Sequence, residues 1–427
     1  MELQTAKGVR DIPPEEKILQ NQVVDTFKEV FELYGFAPLE TPVIERYETL
    51  TAKFAAGEAS DALKETFKLK DQGGRNLGLR FDLTVPLARY VATNPTLKLP
   101  FKRYELGIVF RDGPIKAGRV RQFWQCDVDT IGVNSMLADA ELLAVADTVF
   151  KKLGLKVIIK VNNRKLLNGI LEQAGITKKE EAIVALDKLN KIGQNGVIDE
   201  LKQKGYSKKQ IKPIFDFINS DNTLEQLKNK ITNEIGKEGL FELEELFSYL
   251  KAMKVSVKFD SSLARGLAYY TGTVFEIFAT QGAITSSLAG GGRWDDLIGK
   301  FMGGERQVPA VGIAFGLVPI MEVIKSESNF EKEPKVKTLA KVCVIPINTV
   351  EESLKIVQQL RTEGIKADFA IGKKGVSKNL EYANSLGLPF VMIVGENELK
   401  KKKVMLRDMQ SGQEQLLTLK EAIKKLR

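Results

Sequence analysis

The sequence predicts an α+β protein, built from an antiparallel sheet with flanking helices, a helical insertion and a small α/β domain. Three observations support this prediction. Polar and apolar residues alternate along two long segments joined by a turn. A later region, rich in Lys, Leu and Glu, has helical spacing and no strand pattern. Beyond it, short apolar runs return, first alone and then alternating with helical stretches. The expected bounds are 1–161 and 255–328 for the sheet domain, 162–254 for the insertion and 336–427 for the last domain.

The two alternating segments meet in the stretch VFRDGPIKAGRVRQFWQCDVD, residues 109–129. Alternate positions of its second half carry polar or aromatic side chains: Arg119, Arg121, Phe123, Gln125, Asp127 and Asp129. Arg103 to Arg111 alternates in the same way, so each strand has one charged face and one apolar face. With DGPIKAG as the turn, the pattern predicts a long antiparallel hairpin. A hairpin with one solvated face is the ordinary alternative, but guanidiniums, an aromatic ring and carboxylates together suit a ligand that carries both phosphate and amine.

The other elements follow from local periodicity. Apolar residues recur at helical spacing after Pro14 and stop at Gly35, which predicts the first helix. NLGLRFDLTVPLARYVATN predicts a strand and then a helix whose first N–H groups could meet an anion. SMLADAELLAVADTVFKKLGL predicts a helix and KVIIKVNN a strand. After the insertion, LAYYTGTVFEIFAT and AVGIAFGLVPIMEVIK show strand patterns again, and the polar linker NFEKEPKVK precedes the α/β domain.

Composition limits the class of protein. The chain has 427 residues, of which 43% are hydrophobic and 28% charged, as in soluble globular proteins. No apolar run approaches the roughly 20 residues that span a membrane, and the first residues lack the apolar core of a signal peptide. Cys126 and Cys343 are far apart and form no CxxC pair, so neither a disulfide framework nor a zinc site is predicted. A reducing cytoplasm is the expected compartment.

The chain contains no histidine. This excludes Ser-His-Asp and Cys-His catalysis, histidine metal ligands and imidazole general bases. Any chemistry must depend on carboxylates, Arg, Lys, Tyr and bound cations, and no metal-binding set of side chains is predicted.

The net charge of +9 is unevenly distributed. From Glu331 onward there are 19 Lys and Arg against 12 Asp and Glu, whereas the first 330 residues hold 45 and 43. A basic last domain indicates a polyanionic partner, with nucleic acid favoured over membrane because no basic amphipathic helix stands out. A solvated basic surface is the alternative.

Three short stretches carry residues suited to a binding site. RFDLTVP puts Asp82 and Thr84 at a predicted helix start, where either residue could also be an ordinary N-cap. ARGLAYYTG sets Arg265 beside Tyr269 and Tyr270, which core tyrosines and a surface arginine would also give. AGGGRWDD is a glycine run that permits close backbone approach to a ligand, although it matches neither the dinucleotide-binding nor the P-loop pattern.

In their order along the chain, these stretches resemble class II aminoacyl-tRNA synthetases, specifically the histidyl-tRNA synthetase family. LETPVIE is similar to motif 1, the family's dimer interface, and FRDGPIKAGRVRQFWQCDVD to motif 2. LARGLAYYTGTVFEIF and LAGGGRWDDLIG are similar to the two histidine signatures, and AVGIAFGLVPIM lies where motif 3 belongs. The resemblance implies a class II synthetase-type sheet, an anticodon-binding last domain and a homodimer. It also implies ATP with Mg²⁺, L-histidine and tRNA(His) as substrates and partners.

The resemblance further implies roles for individual residues. Arg111 and Arg265 would be the catalytic cations, because the amino acid's own carboxylate attacks ATP and positive charge is needed rather than a protein base. The implied histidine-binding residues are Asp82, Thr84, Arg111, Gln125, Asp129, Arg265, Tyr269 and Tyr270. The implied ATP-binding residues are Arg111, Arg119, Arg121, Phe123 and Arg293, with Phe123 stacking on adenine.

Five positions depart from the family pattern. Val318 and Pro319 stand where motif 3 has Glu and Arg, and the proline removes an expected γ-phosphate ligand. Ala268 replaces an acid, Trp294 replaces a tyrosine and Gly113 replaces a glutamate of the motif 2 loop.

The expected function is ATP-dependent activation of L-histidine to histidyl-adenylate and transfer to tRNA(His). Pro319 and Ala268 favour an alternative, an inactive paralogue that binds histidine as a regulatory subunit of a histidine-biosynthesis enzyme. A third hypothesis is an RNA-binding adaptor without chemistry. The retained Arg111 and Arg265, and the basic last domain, favour the ligase.

Overall fold

The structure is a computed structural model. It describes residues 3–52, 64–115, 120–219, 223–266, 269–282, 284–304, 306–327, 336–372 and 375–427. Arg119 and Ala268, both singled out above, lie outside the described residues. The chain divides into two compact units, Met1–Arg10 with Val23–Glu327 and Asp11–Gln22 with Ser328–Arg427. No helix within the described ranges combines the length and apolar character needed to cross a lipid bilayer.

Up to residue 327 the chain alternates short strands with longer helices. In chain order these are α1 (Pro14–Leu33), β1 (Ala37–Pro38), β2 (Ile44–Arg46), α2 (Tyr47–Ala52), β3 (Lys68–Lys70), β4 (Asn76–Leu79), α3 (Thr84–Thr93), β5 (Phe101–Phe110), β6 (Gln122–Ile131), α4 (Met136–Lys152), β7 (Val157–Asn163), α5 (Arg164–Gln173), α6 (Lys179–Leu186), α7 (Leu189–Gln203), α8 (Lys208–Ile218), α9 (Leu224–Lys228), α10 (Glu234–Ala252), β8 (Lys258–Phe259), β9 (Thr273–Ala279), β10 (Ala289–Arg293), α11 (Leu297–Phe301), β11 (Ala310–Gly316) and α12 (Leu317–Glu327).

The described strands of the large unit form an eight-stranded sheet in the order β1-β5-β6-β11-β10-β9-β7-β8, and β2, β4 and β3 form a smaller sheet. Along this sheet order, every neighbouring pair from β5 through β6, β11, β10 and β9 to β7 is antiparallel, as the sequence predicts. The two edge strands differ from that prediction, because β1 and β8 pair in parallel with their neighbours. Both lie across long, helix-containing connections from their partners, and such crossovers are what parallel pairing requires.

The predicted hairpin is β5 and β6, whose register runs from Phe101 opposite Ile131 to Phe110 opposite Gln122. Strand β11 pairs with the other side of β6, which makes β6 an inner strand. One face of the sheet is apolar and covered by helices, as the Phe315 ring shows by contacting Phe27 and Phe150 at 5.0 and 5.8 Å. The opposite face of β6 and β11 is therefore left for polar residues and the cleft described below.

Between β7 and β8 the described chain is helical, from α5 to α10. These helices have an apolar core of their own, whose buried members include Leu167, Leu171, Ile183, Leu186, Val197, Leu201, Ile211 and Phe215. Periodic leucine and isoleucine positions therefore form a packed helical layer rather than additional strands.

The second unit has the predicted α/β organisation. Its elements are β12 (Val342–Ile347), α13 (Val350–Thr362), β13 (Ala367–Phe369), α14 (Val376–Ser385), β14 (Phe390–Gly395), α15 (Glu396–Lys400), β15 (Val404–Asp408), β16 (Glu414–Leu417) and α16 (Leu419–Leu426). The strand order is β13-β12-β14-β15-β16, with parallel pairs on both sides of β12 and antiparallel pairs beyond β14. Both cysteines of the protein are buried free thiols.

Candidate active site

A cleft of about 1270 Å³ opens on the polar face of the large sheet. All eight residues that the sequence assigns to histidine binding line this one cleft: Asp82, Thr84, Arg111, Gln125, Asp129, Arg265, Tyr269 and Tyr270. They come from the start of α3, the hairpin, and the segment before β9. Residues that are far apart in the sequence therefore meet in one space.

Asp82 and Thr84 lie where the chain enters α3. The Asp82 Oδ1 accepts a hydrogen bond from the Val85 backbone N–H at 3.0 Å, so the carboxylate also caps the helix. Asp82 also lines the cleft, so its contact with the helix start leaves the predicted ligand-binding role open.

Arg111 follows β5 and is held between two aromatic rings. Its guanidinium carbon lies 4.3 Å from the Phe81 ring centroid and 5.0 Å from that of Phe123. The Nη2 atom approaches the Gln125 Oε1 at 3.4 Å. Stacking fixes the plane of the guanidinium, which reduces the conformational entropy lost when an anion binds.

On β6, Gln125, Asp127 and Asp129 share the face that lines the cleft. The Gln125 Nε2 donates to the Asp127 Oδ1 at 3.3 Å, and the Arg103 Nη2 lies 2.8 Å from the Asp129 Oδ2. Burial raises the pKa of Asp129 to about 6, against the lowering effect of Arg103. Burial also raises the pKa of Asp127 well above its usual value, and Arg103 opposes this only in part.

Beneath the cleft, a buried ion network supports these carboxylates. The Arg80 Nη1 lies 2.7 Å from the Glu105 Oε1 and also donates to the Thr41 carbonyl at 2.7 Å. Arg103, fully buried, lies between Glu105 and Asp129, with nitrogen–oxygen distances of 3.7 and 2.8 Å. The charged face of β5 therefore contacts protein side chains, whereas the corresponding face of β6 contacts the cleft.

Arg265 enters the cleft from the segment before β9. Its backbone has a φ of 41°, a conformation that non-glycine residues rarely adopt and that is frequent at functional sites. The Nη1 atom pairs with the Glu276 Oε1 at 3.0 Å, and the guanidinium carbon lies 5.5 Å from the Tyr270 ring centroid. A Cβ on Gly290 would lie 1.9 Å from that Nη1, so this glycine makes room for the arginine.

The two tyrosines of the signature are stacked neighbours. Their ring centroids are 4.5 Å apart, and the Tyr269 hydroxyl lies 3.5 Å from that of Tyr270. Burial raises the pKa of the Tyr269 hydroxyl, and the Asp82 carboxylate adds to this. Tyr269 is therefore a neutral hydrogen-bonding group over the range in which proteins work.

Of the residues assigned to ATP that the structure describes, Arg111 lines the cleft, whereas Arg121, Phe123 and Arg293 do not. Arg121 pairs with Asp112 at 3.0 Å, and the Phe123 ring centroid lies 5.0 Å from the Arg111 guanidinium carbon. Arg293 is buried and does not reach the cleft: it pairs with Asp139 and donates to the Val133 carbonyl at 2.9 Å. The geometry thus gives Arg293 a role in joining β10 to α4, and the ATP contact expected from the sequence stays a prediction.

Several cleft residues were not assigned from the sequence. Asp127 and Glu276 are the most informative, because both are carboxylates close to assigned residues. The alternation on β6 already placed Asp127 on the correct face. Glu276 could have been found from the same period-2 alternation on β9. Trp294, the position that departs from the family tyrosine, is buried and also lines the cleft.

Two departures from the family pattern have a structural explanation. A Cβ on Gly113 would lie 2.6 Å from the Glu65 Oε1, so a carboxylate from elsewhere in the chain occupies the space beside this glycine. Pro319 is the third residue of α12. The N–H groups of a first turn have no partner within the helix, so proline is tolerated there.

The comparisons with known proteins agree with this geometry. Residues 8–320 match the family model described as histidyl-tRNA synthetase, and residues 341–427 match the model of an anticodon binding domain. A histidine–tRNA ligase 1 of Bacillus cereus is 43% identical over 421 residues, covering 97% of this chain and 95% of that protein.

Solved structures show the same similarity. A histidyl-tRNA synthetase from a Nostoc species is 32% identical, with a TM-score of 0.86 and coverage of 100% of this chain and 99% of that one. An ATP phosphoribosyltransferase regulatory subunit/histidyl-tRNA synthetase from Bacillus halodurans, 24% identical with a TM-score of 0.76, covers 92% of this chain and 99% of that one and shares the fold. Because a family model matches most of the sequence and a 43% identical relative spans nearly all of it, this chain belongs to the histidyl-tRNA synthetase family.

Proposed function

We propose that this protein activates L-histidine with ATP to form histidyl-adenylate and then transfers the histidyl group to tRNA(His). The observation that carries this proposal is the convergence of all eight assigned histidine-binding residues on one cleft. The same cleft combines carboxylates and tyrosine hydroxyls for an amino acid with an imidazole ring, and arginines for phosphate.

In the first step, an oxygen of the histidine carboxylate attacks the α-phosphorus of ATP, and pyrophosphate leaves. The nucleophile is already ionised, so the absence of histidine from the chain is no obstacle. We assign to Arg111 and Arg265 the stabilisation of the negative charge that develops on the transferring phosphorus. Arg111 is fixed by its two aromatic neighbours, and Arg265 by Glu276.

The described residues contain no cluster of three or more acidic, cysteine or histidine side chains that could hold a metal ion. We therefore assign Mg²⁺ to the nucleotide: it would enter the cleft bound to the phosphates of ATP, as part of the substrate. The assigned ATP contacts of Arg119, Arg121 and Phe123 belong to this proposal too. Phe123 would have to exchange its contact with Arg111 for the adenine ring.

The second step requires tRNA, and the last domain is the proposed binding module for the anticodon. Two observations support it: the match of residues 341–427 to an anticodon binding domain, and the excess of basic residues after Glu331. The bounds proposed for the catalytic core, the insertion and this module remain those given from the sequence. We also propose a homodimer that uses the motif 1 segment around β2.

The test is ATP–pyrophosphate exchange on the purified protein with each of the amino acids in turn. Exchange with histidine alone supports the proposal, and Arg265→Ala is expected to reduce it by about 100- to 1,000-fold, the effect of removing one transition-state donor. Binding of histidine without exchange would support the regulatory paralogue instead. Binding of tRNA with neither exchange nor histidine binding would support the RNA-binding adaptor.

A further inference from the structure

We infer that Asp127 binds the α-ammonium group of the substrate, together with Asp82, and is a specificity-determining residue of this cleft. The inference rests on the proposed function, because it assumes that histidine is the ligand. It adds a residue that neither the motif resemblance nor the alternation on β6 assigns.

The first argument is charge balance in the buried network. Arg80 pairs with Glu105 at 2.7 Å, and Arg103 pairs with Asp129 at 2.8 Å. Asp127 is 2% exposed, yet within the described part of the chain it forms no ion pair with any lysine or arginine. The Arg103 charge lowers the pKa of this carboxyl without pairing with it, and a buried carboxylate that lacks a paired cation is costly unless a ligand supplies one.

The second argument is position. Asp127 lies on β6 between Gln125 and Asp129, facing the cleft, and its Oδ1 accepts a hydrogen bond from the Gln125 Nε2 at 3.3 Å. Its opposite residues in the sheet are Glu105 on β5 and Ala314 on β11, neither of which brings a cation. The open side of Asp127 is therefore the cleft itself.

The third argument is which part of the ligand arrives there. Burial is the main cause of the raised pKa of both Asp127 and Tyr269; the Asp82 carboxylate adds to it at Tyr269, and at Asp127 it adds less than Asp129 does. Asp82, Asp127 and Tyr269 line the same cleft, so one ligand group there can meet both carboxylates. Histidine carries one permanent cation at neutral pH, its α-ammonium, and two carboxylates around one ammonium satisfy its donors.

The test measures three ligands against wild type and Asp127→Asn by calorimetry. L-histidine and L-histidinol both carry the ammonium, whereas 3-(imidazol-4-yl)propanoate is histidine without it. We expect Asp127→Asn to weaken the binding of histidine and histidinol by about 10- to 100-fold, because one charge-assisted hydrogen bond is lost. The affinity for the desamino ligand should stay within about twofold of the wild-type value.

Glu105→Gln is the matched control. Glu105 lies opposite Asp127 in the sheet, but its carboxylate contacts Arg80 and Thr41 instead of the cleft. If replacing a buried carboxylate acts only on the structure, the binding of all three ligands should weaken by the same factor. If Asp127→Asn gives that uniform pattern, or leaves histidinol unchanged, the inference is overturned. Failure of the wild type to bind histidine at all would instead overturn the proposed function.

A second measurement uses only the wild type and covers the case in which Asp127→Asn does not fold. Calorimetry at pH 6 in buffers of different ionisation enthalpy counts protons released on binding. The charged groups facing Asp127 are Arg103 and Glu105 on β5, Asp129 on β6, and Asp82 before α3. An ammonium beside Asp127 lowers the pKa of that carboxyl, so histidine should release more protons than the desamino ligand. Equal release would overturn the inference.

Discussion

At the scale of single residues, the absence of a side chain at Gly290 decides where Arg265 points. The guanidinium passes over β10 at this glycine, where a Cβ would lie 1.9 Å from the Nη1. Glu276 then holds the same nitrogen at 3.0 Å. The sequence associates this glycine run with close approach of a ligand, but at Gly290 it makes room for Arg265, the proposed catalytic arginine.

We predict that Gly290→Ala impairs the chemical step without unfolding the protein. The atom in the way is the end of a flexible side chain, so the backbone can stay while the guanidinium moves. Histidine-dependent exchange should fall by about 100-fold in kcat, as for the loss of a transition-state donor. Gly304→Ala is the control, because the nearest atom to its new Cβ would be the Arg306 backbone N at 3.9 Å. Wild-type exchange in Gly290→Ala would contradict the role given to Arg265.

The buried cleft carboxylates also set a pH dependence of stability. A carboxyl whose pKa is raised by folding stabilises the protein fully below its unfolded pKa of about 4 and loses that contribution as pH rises through the folded value. For Asp129 the folded pKa is about 6. The ligand-free protein is therefore expected to lose stability as the pH rises through this window, and Asp127 acts in the same direction.

We predict that Asp127→Asn raises the free energy of unfolding of the ligand-free protein at pH 8, by at least about 1 kcal/mol, because it removes an unpaired buried charge. At pH 5 the gain should be smaller, since the raised pKa of the wild-type carboxyl favours its neutral form as the pH falls. Urea unfolding at both pH values measures the difference. Asp71→Asn serves as the control: Asp71 is half-buried and its hydrogen bonds with Arg75 lower the pKa of its carboxyl, so its effect should not differ between the two pH values. If Asp127→Asn instead lowers the free energy of unfolding at pH 8, the conclusion that Asp127 lacks a paired cation is contradicted.

At the scale of elements, Arg293 joins β10 to the start of α4. It pairs with Asp139, which is fully buried, and it donates to the Ser135 carbonyl at 3.2 Å, just before the helix begins. Burial raises the pKa of Asp139, and the Arg293 charge opposes that rise. The pair therefore holds a core helix against the strand that carries Gly290.

Removing one member of this pair leaves a buried charge without its partner, so we predict that Asp139→Ala lowers the free energy of unfolding by about 3 kcal/mol. The double variant Asp139→Ala/Arg293→Met should recover part of the loss. In both, the KM for ATP should stay within about twofold if the folded enzyme is measured well below its melting temperature. A large rise in the KM for ATP with unchanged stability would support the ATP contact predicted for Arg293 from the sequence.

Sequence periodicity predicted the elements whose information is local. The hairpin followed from period-2 alternation across β5 and β6, and the face of β6 that lines the cleft was correctly identified. The partner of Arg293 lies 154 residues away, so nothing near the glycine run indicated a structural role. The edge strands β1 and β8 are two residues long, too short for a pattern, and their direction depends on distant crossovers.

Asp127 illustrates the same limit within the site. The face of β6 that carries Asp127 was predictable from the sequence. That Asp127 has no paired cation follows from the pairing of Arg80 with Glu105 and of Arg103 with Asp129. The packing of β5, β6 and the segment before α3 against one another determines these ion pairs. Pro319, in contrast, needed only the helix boundary, because its tolerance follows from lying in the first turn of α12.

At the scale of the whole molecule, the motif 1 segment presents an edge strand. Strand β2 lies at one edge of the sheet β2-β4-β3, and Val43 and Ile44 are 38% and 52% exposed. An exposed edge with apolar side chains favours pairing with another chain. This supports the proposed dimer, because a two-fold axis beside β2 would bury the same residues of both copies.

We predict that the wild-type protein sediments with twice the mass of one chain and that Ile44→Asp sediments as a monomer at micromolar concentration. Burying an aspartate in an apolar contact without a partner costs several kcal/mol for each copy, and a symmetric interface incurs that cost twice. Leu69→Asp is the matched control, since Leu69 is 39% exposed on β3, at the opposite edge of the same sheet. If Ile44→Asp remains dimeric, or if Leu69→Asp dissociates as readily, the interface lies elsewhere. Dissociation should also lower the melting temperature in a concentration-dependent way, because a dimer is stabilised by mass action and a monomer is not.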